Sequence, residues 1–257
     1  MLDNSKGCII AALNTVELNY IGLSKQAADR VVKYLGLPVT IITDNPNADF
    51  GKHNVVAVDK PIDNRRTPFG KQNQQWFNLV RTQVYDLSPY DRTLLIDGDY
   101  FICTDALLPH VNCNADFIMA KEIYNPTNGN IEIYKLGNTA IEQYWATVCI
   151  FNKCRESANI FEMAKHVQKH YRYYSELYRF APRPLRNDYI FSIACHLIGG
   201  YGMKDYGFKS YPLINCNDQI DYESFENNKL IYRYIKDGVY SNRFINTDLH
   251  LMNKDQI

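Results

Sequence analysis

The chain has 257 residues, 46% of them hydrophobic and 13% aromatic, which is enough for one sizeable core. Its 28 Lys and Arg balance 28 Asp and Glu, so a general polyanion-binding surface is not indicated, though a local basic patch is compatible with that balance. The seven cysteines contain no Cys-x-x-Cys pair, and Cys8, Cys149 and Cys195 lie inside apolar runs, a usage that fits a reducing compartment. Residues 1–6 are polar and do not read as a signal peptide. No apolar run is long enough to span a bilayer. A soluble, cytoplasmic protein with a single domain over residues 1–257 is expected.

Residues 7–14, Gly-Cys-Ile-Ile-Ala-Ala-Leu-Asn, form a continuous apolar run suited to a strand buried on both faces. Asn14 with Glu17 three residues on is a capping-box signature. Leu18, Ile21, Ala28, Val31, Val32 and Leu35 follow at helical spacing, and Gly36 and Pro38 stop the helix. Val39–Thr43 is a second strand, ending at Asp44. In open α/β sheets, ligands bind beyond the carboxyl ends of the strands, where Asn14, Thr15 and Asp44 lie. Each of the three also suits an ordinary role as a cap or turn residue.

Residues 45–70 are polar and Pro-rich, with a weak strand at 55–58 and a small basic cluster, Asn64-Arg65-Arg66, read as solvated. The spacing predicts a helix over 71–87. Trp76, Val80, Val84 and Leu87 mark its buried face, Phe77 widens it, and Arg81 sits on its flank. Arg81 there is either a structural ion-pair residue or one that reaches a phosphate, which its planar fork suits.

Residues 93–102 read Thr-Leu-Leu-Ile-Asp-Gly-Asp-Tyr-Phe-Ile. An apolar strand ends in two carboxylates one residue apart, with Gly98 allowing a tight turn between them. Such a pair is costly unless something binds it. Mg²⁺ or Mn²⁺ takes oxygen ligands and leaves positions for substrate phosphates, so Asp97 and Asp99 suggest a metal–diphosphate site. Alone, the tripeptide reads equally as a turn with two solvated acids; the flanking strand and upstream helix favour the metal.

Residues 116–120 form another strand, 125–138 a loop or hairpin, and 145–151 a further strand followed by a helix from about Glu156. In residues 165–186, Lys165, Lys169, Arg172, Arg179, Arg183 and Arg186 are interleaved with Tyr171, Tyr173, Tyr174, Tyr178 and Phe180, against one acid, Glu176. This is either the exposed end of a helix with its aromatics inward, the better of the two readings, or a grip on nucleic acid through phosphates and stacked bases. Asp188 is placed as the cap of an apolar helix closed by Gly199-Gly200, and is also an acid where a substrate could approach. Short strands are expected within 211–215, 229–235 and 239–245.

Taken together, the strand, capped helix, strand, helix with Arg81 and Thr-Leu-Leu-Ile-Asp-Gly-Asp resemble the GT-A fold glycosyltransferases, above all the glycogenin-like and galactosyltransferase-like retaining enzymes of the family 8 type. The resemblance is good over 7–120 and thin over 121–230. It implies a Rossmann-like α/β domain with a mixed, mostly parallel central sheet flanked by helices. It also implies a nucleotide-sugar half over 7–120, and an acceptor half with a closing segment over 121–257. By resemblance, Asp97, Asp99 and a C-terminal His, here His250, hold Mn²⁺ or Mg²⁺ against the donor diphosphate. Arg81 and Lys254 contact the phosphates or sugar, Asn14, Thr15 and Asp44 hold a uridine nucleoside, and Asp188 lies near the transfer site. The family ending His-x-x-Gly-x-x-Lys-Pro-Trp is here His-Leu-Met-Asn-Lys, so His250 is the closer match of the two. The ending and Arg186-Asn187-Asp188-Tyr189 also look like bacteriophage-type glycosyltransferases. That likeness and the basic aromatic segment 165–186 point to a hydroxymethylated base in DNA as acceptor, in the host cytoplasm if the chain is phage-encoded.

Two other classes compete. Sugar nucleotidyltransferases resemble one another in a Gly-rich loop after the first strand, where this chain has Asn14-Thr15-Val16-Glu17. In a non-catalytic nucleotide- or nucleic-acid-binding protein, Asp97 and Asp99 would be a turn, and a nucleotide sugar would release no nucleoside diphosphate.

Overall fold

The computed structural model describes residues 5–15, 18–59, 64–66, 74–137, 141–180, 183–217, 219–236 and 238–256, with 64–66, 74–76, 78 and 255 described by backbone alone. The elements that position the site are the strands Lys6–Ala11 (β1), Val39–Thr43 (β2), Asn54–Ala57 (β3), Arg92–Ile96 (β4), Tyr100–Phe101 (β5), Phe117–Ala120 (β6), Trp145–Asn152 (β7), Leu213–Cys216 (β8) and Leu249–Leu251 (β9). The helices are Tyr20–Leu35 (α1), Arg155–Lys169 (α2), Tyr171–Leu177 (α3) and Asn187–Ile198 (α4).

The central sheet has the order β3-β2-β1-β4-β7-β6. Strands β3, β2, β1 and β4 run parallel, and β7 is antiparallel to both its neighbours. This is the mixed, mostly parallel α/β sheet flanked by helices that the sequence leads one to expect. The apolar runs explain it. Cys8, Ile10, Leu94 and Ile96 face the α1 side, where Ala27, Ala28, Val31 and Leu35 pack. Ile9 and Leu95 alternate to the other face, against Ile160, Phe161, Ile190 and Phe191 of α2 and α4. Period-two alternation of apolar residues on both faces is what a doubly covered sheet requires.

A second sheet sets β8 between the strand Glu122–Asn125 and β9, with β5 beyond β9. It joins the chain's end to the segment just after Asp97-Gly98-Asp99, since Leu249 pairs with Phe101 and His250 with Tyr100. Among the described residues, no helix is long and apolar enough to cross a membrane.

Several expectations are corrected. Helix α1 starts at Tyr20, with Asn19 as its cap, and Val32 on it is 47% exposed. Glu17 lies outside the described residues. Residues 71–87 are not one helix: Gln74–Trp76 is a strand paired with Asn64–Arg66, followed by a 3-10 helix over Asn78–Gln83 and one α-turn over Val84–Leu87. Residues 71–73 are outside the description. Phe77, Val80 and Val84 are buried, so the apolar face was legible although the backbone type was not. The strands Ile220–Glu226 and β9 were not anticipated.

Gly7 allows the closest approach in the sheet. A Cβ there would overlap the ring of Tyr90, whose hydroxyl is fixed to Thr40 Oγ1 at 2.8 Å. Because the ring is buried and tethered, it has no cheap way to yield. Gly7→Ala is expected to destabilise the fold by about 1–3 kcal/mol, as overpacked cores do, read as a lower urea midpoint at unchanged m-value.

Candidate active site

A cleft of about 830 Å³, counting its solvent-open part, lies at the carboxyl ends of β1 and β4. Its walls include Leu13, Tyr20, Arg81, Asp97, Asp99, Trp145, Arg186, Asp188, His250 and Lys254.

Asp97 and Asp99 leave β4 in a tight turn. The Asp97 N–H donates to the Thr147 carbonyl at 3.0 Å, and the Tyr100 N–H donates back to the Asp97 carbonyl at 3.1 Å. Gly98 is required because its neighbour is Ser24 of α1, whose hydroxyl a Cβ at position 98 would overlap. Asp99 is buried, while the Asp97 side chain keeps 29% of its surface exposed.

Strand β9 brings a third ligating side chain. Leu249 and Leu251 point into an apolar cluster with Phe101, Cys216 and Leu230. His250, between them, therefore faces the other way. Its Nδ1 meets the Asn215 amide oxygen at 2.9 Å, and its Nε2 lies 3.5 Å from Asp99 Oδ1 and 4.0 Å from Asp97 Oδ2. With Nδ1 donating to Asn215, Nε2 carries the ring's lone pair toward the acids, as an orienting second hydrogen bond does for a ligating histidine. Ligand atoms of Asp97, Asp99 and His250 all lie within 4.8 Å of one another. The donor set, two carboxylates and one imidazole, fits a divalent cation.

Cations complete the cluster. Lys254 Nζ lies 2.7 Å from Asp99 Oδ2 and donates to the Tyr20 hydroxyl at 2.9 Å. The buried Arg81 guanidinium pairs with Asp97 and also donates to the Ala146 carbonyl. Burial raises the Asp97 carboxyl above the ordinary carboxylate range, against the pull of Arg81, and the Asp99 charge adds to the rise. Burial pushes Asp99 the same way, but Lys254 and His250 outweigh it and hold that carboxyl well below its ordinary range.

Asp188 is not the cap of α4. It sits in the first turn, where its Oδ1 accepts the Ala146 N–H at 2.9 Å and its Oδ2 meets Arg186 at 2.9 Å. Arg81, Asp97, Asp99, Asp188, His250 and Lys254 are thus brought to one cleft. Asn14, Thr15 and Asp44 are not among its lining residues. Asn14 Oδ1 takes the Ile21 N–H at 3.0 Å and Thr15 Oγ1 takes the Leu18 N–H at 3.1 Å, so both serve the turn into α1. The residues unforeseen at the site are Tyr20, Trp145 and Asn215, with Arg186 noted only in a basic run and in the Arg-Asn-Asp-Tyr segment. Asn215 had a faint signal, a polar residue closing the apolar Leu213-Ile214.

In segment 165–186, Tyr174, Tyr178 and Phe180 are buried in the core, while Tyr173 is 62% exposed. Lys165 pairs with Asp86 and Glu162, and Arg172 with Glu176. Its aromatics mostly point inward, as a helix end would have them.

No family model matches the chain, and no curated protein matches it. Among solved structures it is similar to the galactosyltransferase LgtC in complex with donor and acceptor sugar analogues, at 14% identity over 73% of this chain and 70% of that one, TM-score 0.47. It is similar to the glycosyltransferase GlyE of Streptococcus pneumoniae TIGR4, at 9% identity over 80% of this chain and 46% of that one, TM-score 0.44. A putative glucose-1-phosphate thymidylyltransferase from Bacillus anthracis in complex with a sucrose gives 12% identity over 80% and 88%, TM-score 0.43. At these values the likeness is one of general chain path and identifies no family.

The Ser24 hydroxyl is buried and has no hydrogen-bond partner among the described residues. Gly98→Ala is expected to lower the urea midpoint, and adding Ser24→Ala to restore most of the loss, because the overlapping oxygen is gone. Ser24→Ala alone removes only an unsatisfied group and is expected to be near neutral. The double-mutant cycle should give a coupling of about 0.5–3 kcal/mol.

Proposed function

We propose that this chain is a metal-dependent glycosyltransferase of the GT-A type, moving a sugar from a uridine-diphosphate sugar to a hydroxyl acceptor. The observation that carries the reading is the convergence of Asp97, Asp99, His250, Arg81 and Lys254 on one cleft beyond the carboxyl ends of parallel strands.

Charge supports the donor class. Three carboxylates line the cleft, Asp97, Asp99 and Asp188, against three permanent cations, Arg81, Arg186 and Lys254. The wall is therefore neutral with His250 uncharged. A divalent cation held by Asp97, Asp99 and His250 leaves an excess of about two positive charges, the complement of a diphosphate diester. The imidazole ligand favours Mn²⁺ over Mg²⁺, which prefers an all-oxygen shell.

Breaking the sugar–phosphate bond places negative charge on the leaving nucleoside diphosphate. A bound divalent ion supplies Lewis-acid stabilisation of that charge. Lys254 and Arg81 are the chain's own contribution: both are buried, fixed by ion pairs, and adjoin the acids, so they need little reorganisation as charge develops. His250 holds its geometry through Asn215. Asp188, already accepting from Ala146 and paired with Arg186, orients groups rather than acting as a free base. Resemblance to retaining enzymes favours a retained anomeric configuration.

With Mn²⁺ and a uridine-diphosphate sugar at a hundredfold excess over Kd, the native state should gain about 2.7 kcal/mol, seen as a raised Tm. Asp99→Asn should fold and abolish that gain. Release of free UDP separates an enzyme from a binding module. A stronger shift from guanosine-diphosphate sugars would overturn the base assignment.

A hydroxymethylated base in DNA as acceptor keeps only its electrostatic half, since the aromatic side chains that would hold a base are mostly buried while Arg172 and Arg179 are exposed. A DNA acceptor requires binding at low salt that falls steeply at moderate salt and is lost when Arg172, Arg179 and Arg183 become Ala. No binding by the parent, or equal binding by the variant, makes a saccharide or protein the acceptor.

A further inference from the structure

Two N–H groups on the cleft wall have no acceptor in the reading above. Trp145 Nε1 and Arg186 Nε are buried and have no hydrogen-bond partner among the described residues. Both side chains line the cleft, and Trp145 is only 8% exposed. Native proteins leave few buried N–H groups without an acceptor, because each carries a desolvation penalty. Two such groups on neighbouring residues that line one cleft point to atoms that arrive with the ligand.

Their position says which part of the ligand. Trp145 begins the stretch of β7 that borders Asp97: its neighbour Ala146 gives its carbonyl to Arg81 and its N–H to Asp188, and the Thr147 carbonyl takes the Asp97 N–H. The Arg186 guanidinium carbon lies 6.0 Å from the centre of the Trp145 ring and 5.5 Å from that of Tyr189. It is held at its tip by Asp188 at 2.9 Å, and 26% of its side chain remains exposed. The phosphates belong beside Lys254 and the acid pair. The group next to the leaving phosphate is the sugar.

We propose that Trp145 and Arg186 form the wall that receives the donor's sugar, and that sugar oxygens take the two stranded N–H groups. This rests on the donor reading above. Both side chains are donors only, so they accept no group that lacks lone pairs. The sugar hydroxyls and ring oxygen supply those, and the indole presents an apolar surface to the sugar's C–H face. Asp188 is then the positioning residue that aims Arg186.

The test is calorimetric titration of the Mn²⁺-loaded protein with UDP, UDP-glucose and UDP-galactose. Trp145→Phe keeps an aromatic wall and removes the indole N–H. Arg186→Lys keeps the charge and removes the Nε donor. The parent should bind at least one sugar nucleotide more tightly than UDP. In each variant the Kd for UDP should stay within about twofold, while the preferred sugar nucleotide weakens by about fivefold, the worth of one net hydrogen bond. Each variant is read by itself, so one that folds poorly leaves the other as the test. Variants that keep the parent's ratio of sugar-nucleotide to UDP affinity, or that lose both ligands equally, overturn the proposal while leaving the donor site standing. A parent that binds no UDP in the presence of Mn²⁺ overturns the donor reading and this wall with it.

Discussion

Two carboxylates one residue apart, at the end of a buried strand, set the constraint that the rest of this chain answers. Left alone, each would be strongly destabilised by loss of water. Partners must come from elsewhere in the sequence, and they do so from three places. Arg81 arrives from the 3-10 helix before β4, His250 from β9, and Lys254 from the turn after it. Removing one partner of a buried pair is more harmful than never having the pair, because the other charge is stranded. The end of the chain is therefore tied to the middle by electrostatics as well as by the apolar packing of Leu249 and Leu251.

That tie has its own support. Asp248, just before β9, is buried and accepts from the Cys103 and Thr104 N–H groups at 2.7 and 2.9 Å, and from the Tyr211 hydroxyl at 2.8 Å. Tyr211 in turn meets the Tyr100 hydroxyl at 2.6 Å. The same residues that follow Asp97-Gly98-Asp99 thus hold the strand that carries His250. Leu251 adds an N–H to the Asp99 carbonyl at 2.9 Å. A ligand set assembled from segments about 150 residues apart is made rigid by backbone contacts to the acid turn itself, which is what a preorganised charge site needs.

Much of this could be read from the residues. Continuous apolar runs gave β1, β2, β4 and β7, because strands buried on both faces have no polar alternation to hide them. The acid pair was visible because two charges ending a core strand contradict their surroundings. The histidine was reached only through resemblance: nothing in Asp248-Leu249-His250-Leu251 says that its partner strand is Tyr100–Phe101, since pairing of distant strands is a property of the whole fold. The 71–87 segment misled because a buried face at helical spacing is also satisfied by a strand end followed by a tight 3-10 turn. Asn14 illustrates the opposite failure. Its place at a strand end invited a ligand role, but its side chain is spent on the first turn of α1.

The balance of charge in the cleft also bears on what Asp188 does. An acid with one oxygen on a backbone N–H and the other on a guanidinium has both faces engaged and is held in place. Arg186 is bound by the ion pair to Asp188 and a hydrogen bond to Tyr189, lies across two aromatic rings and keeps part of its surface exposed. The acid is tied to β7 through Ala146, and the arginine keeps the larger exposed share, 26% of its side chain against 12%. At Trp145 and Arg186 selection is set by donors reading lone pairs, while at Lys254 and the acid turn it is set by charge. A ligand that is anionic at one end and hydroxyl-rich at the other satisfies both groups at once, and a ligand with either feature alone leaves one of them unanswered.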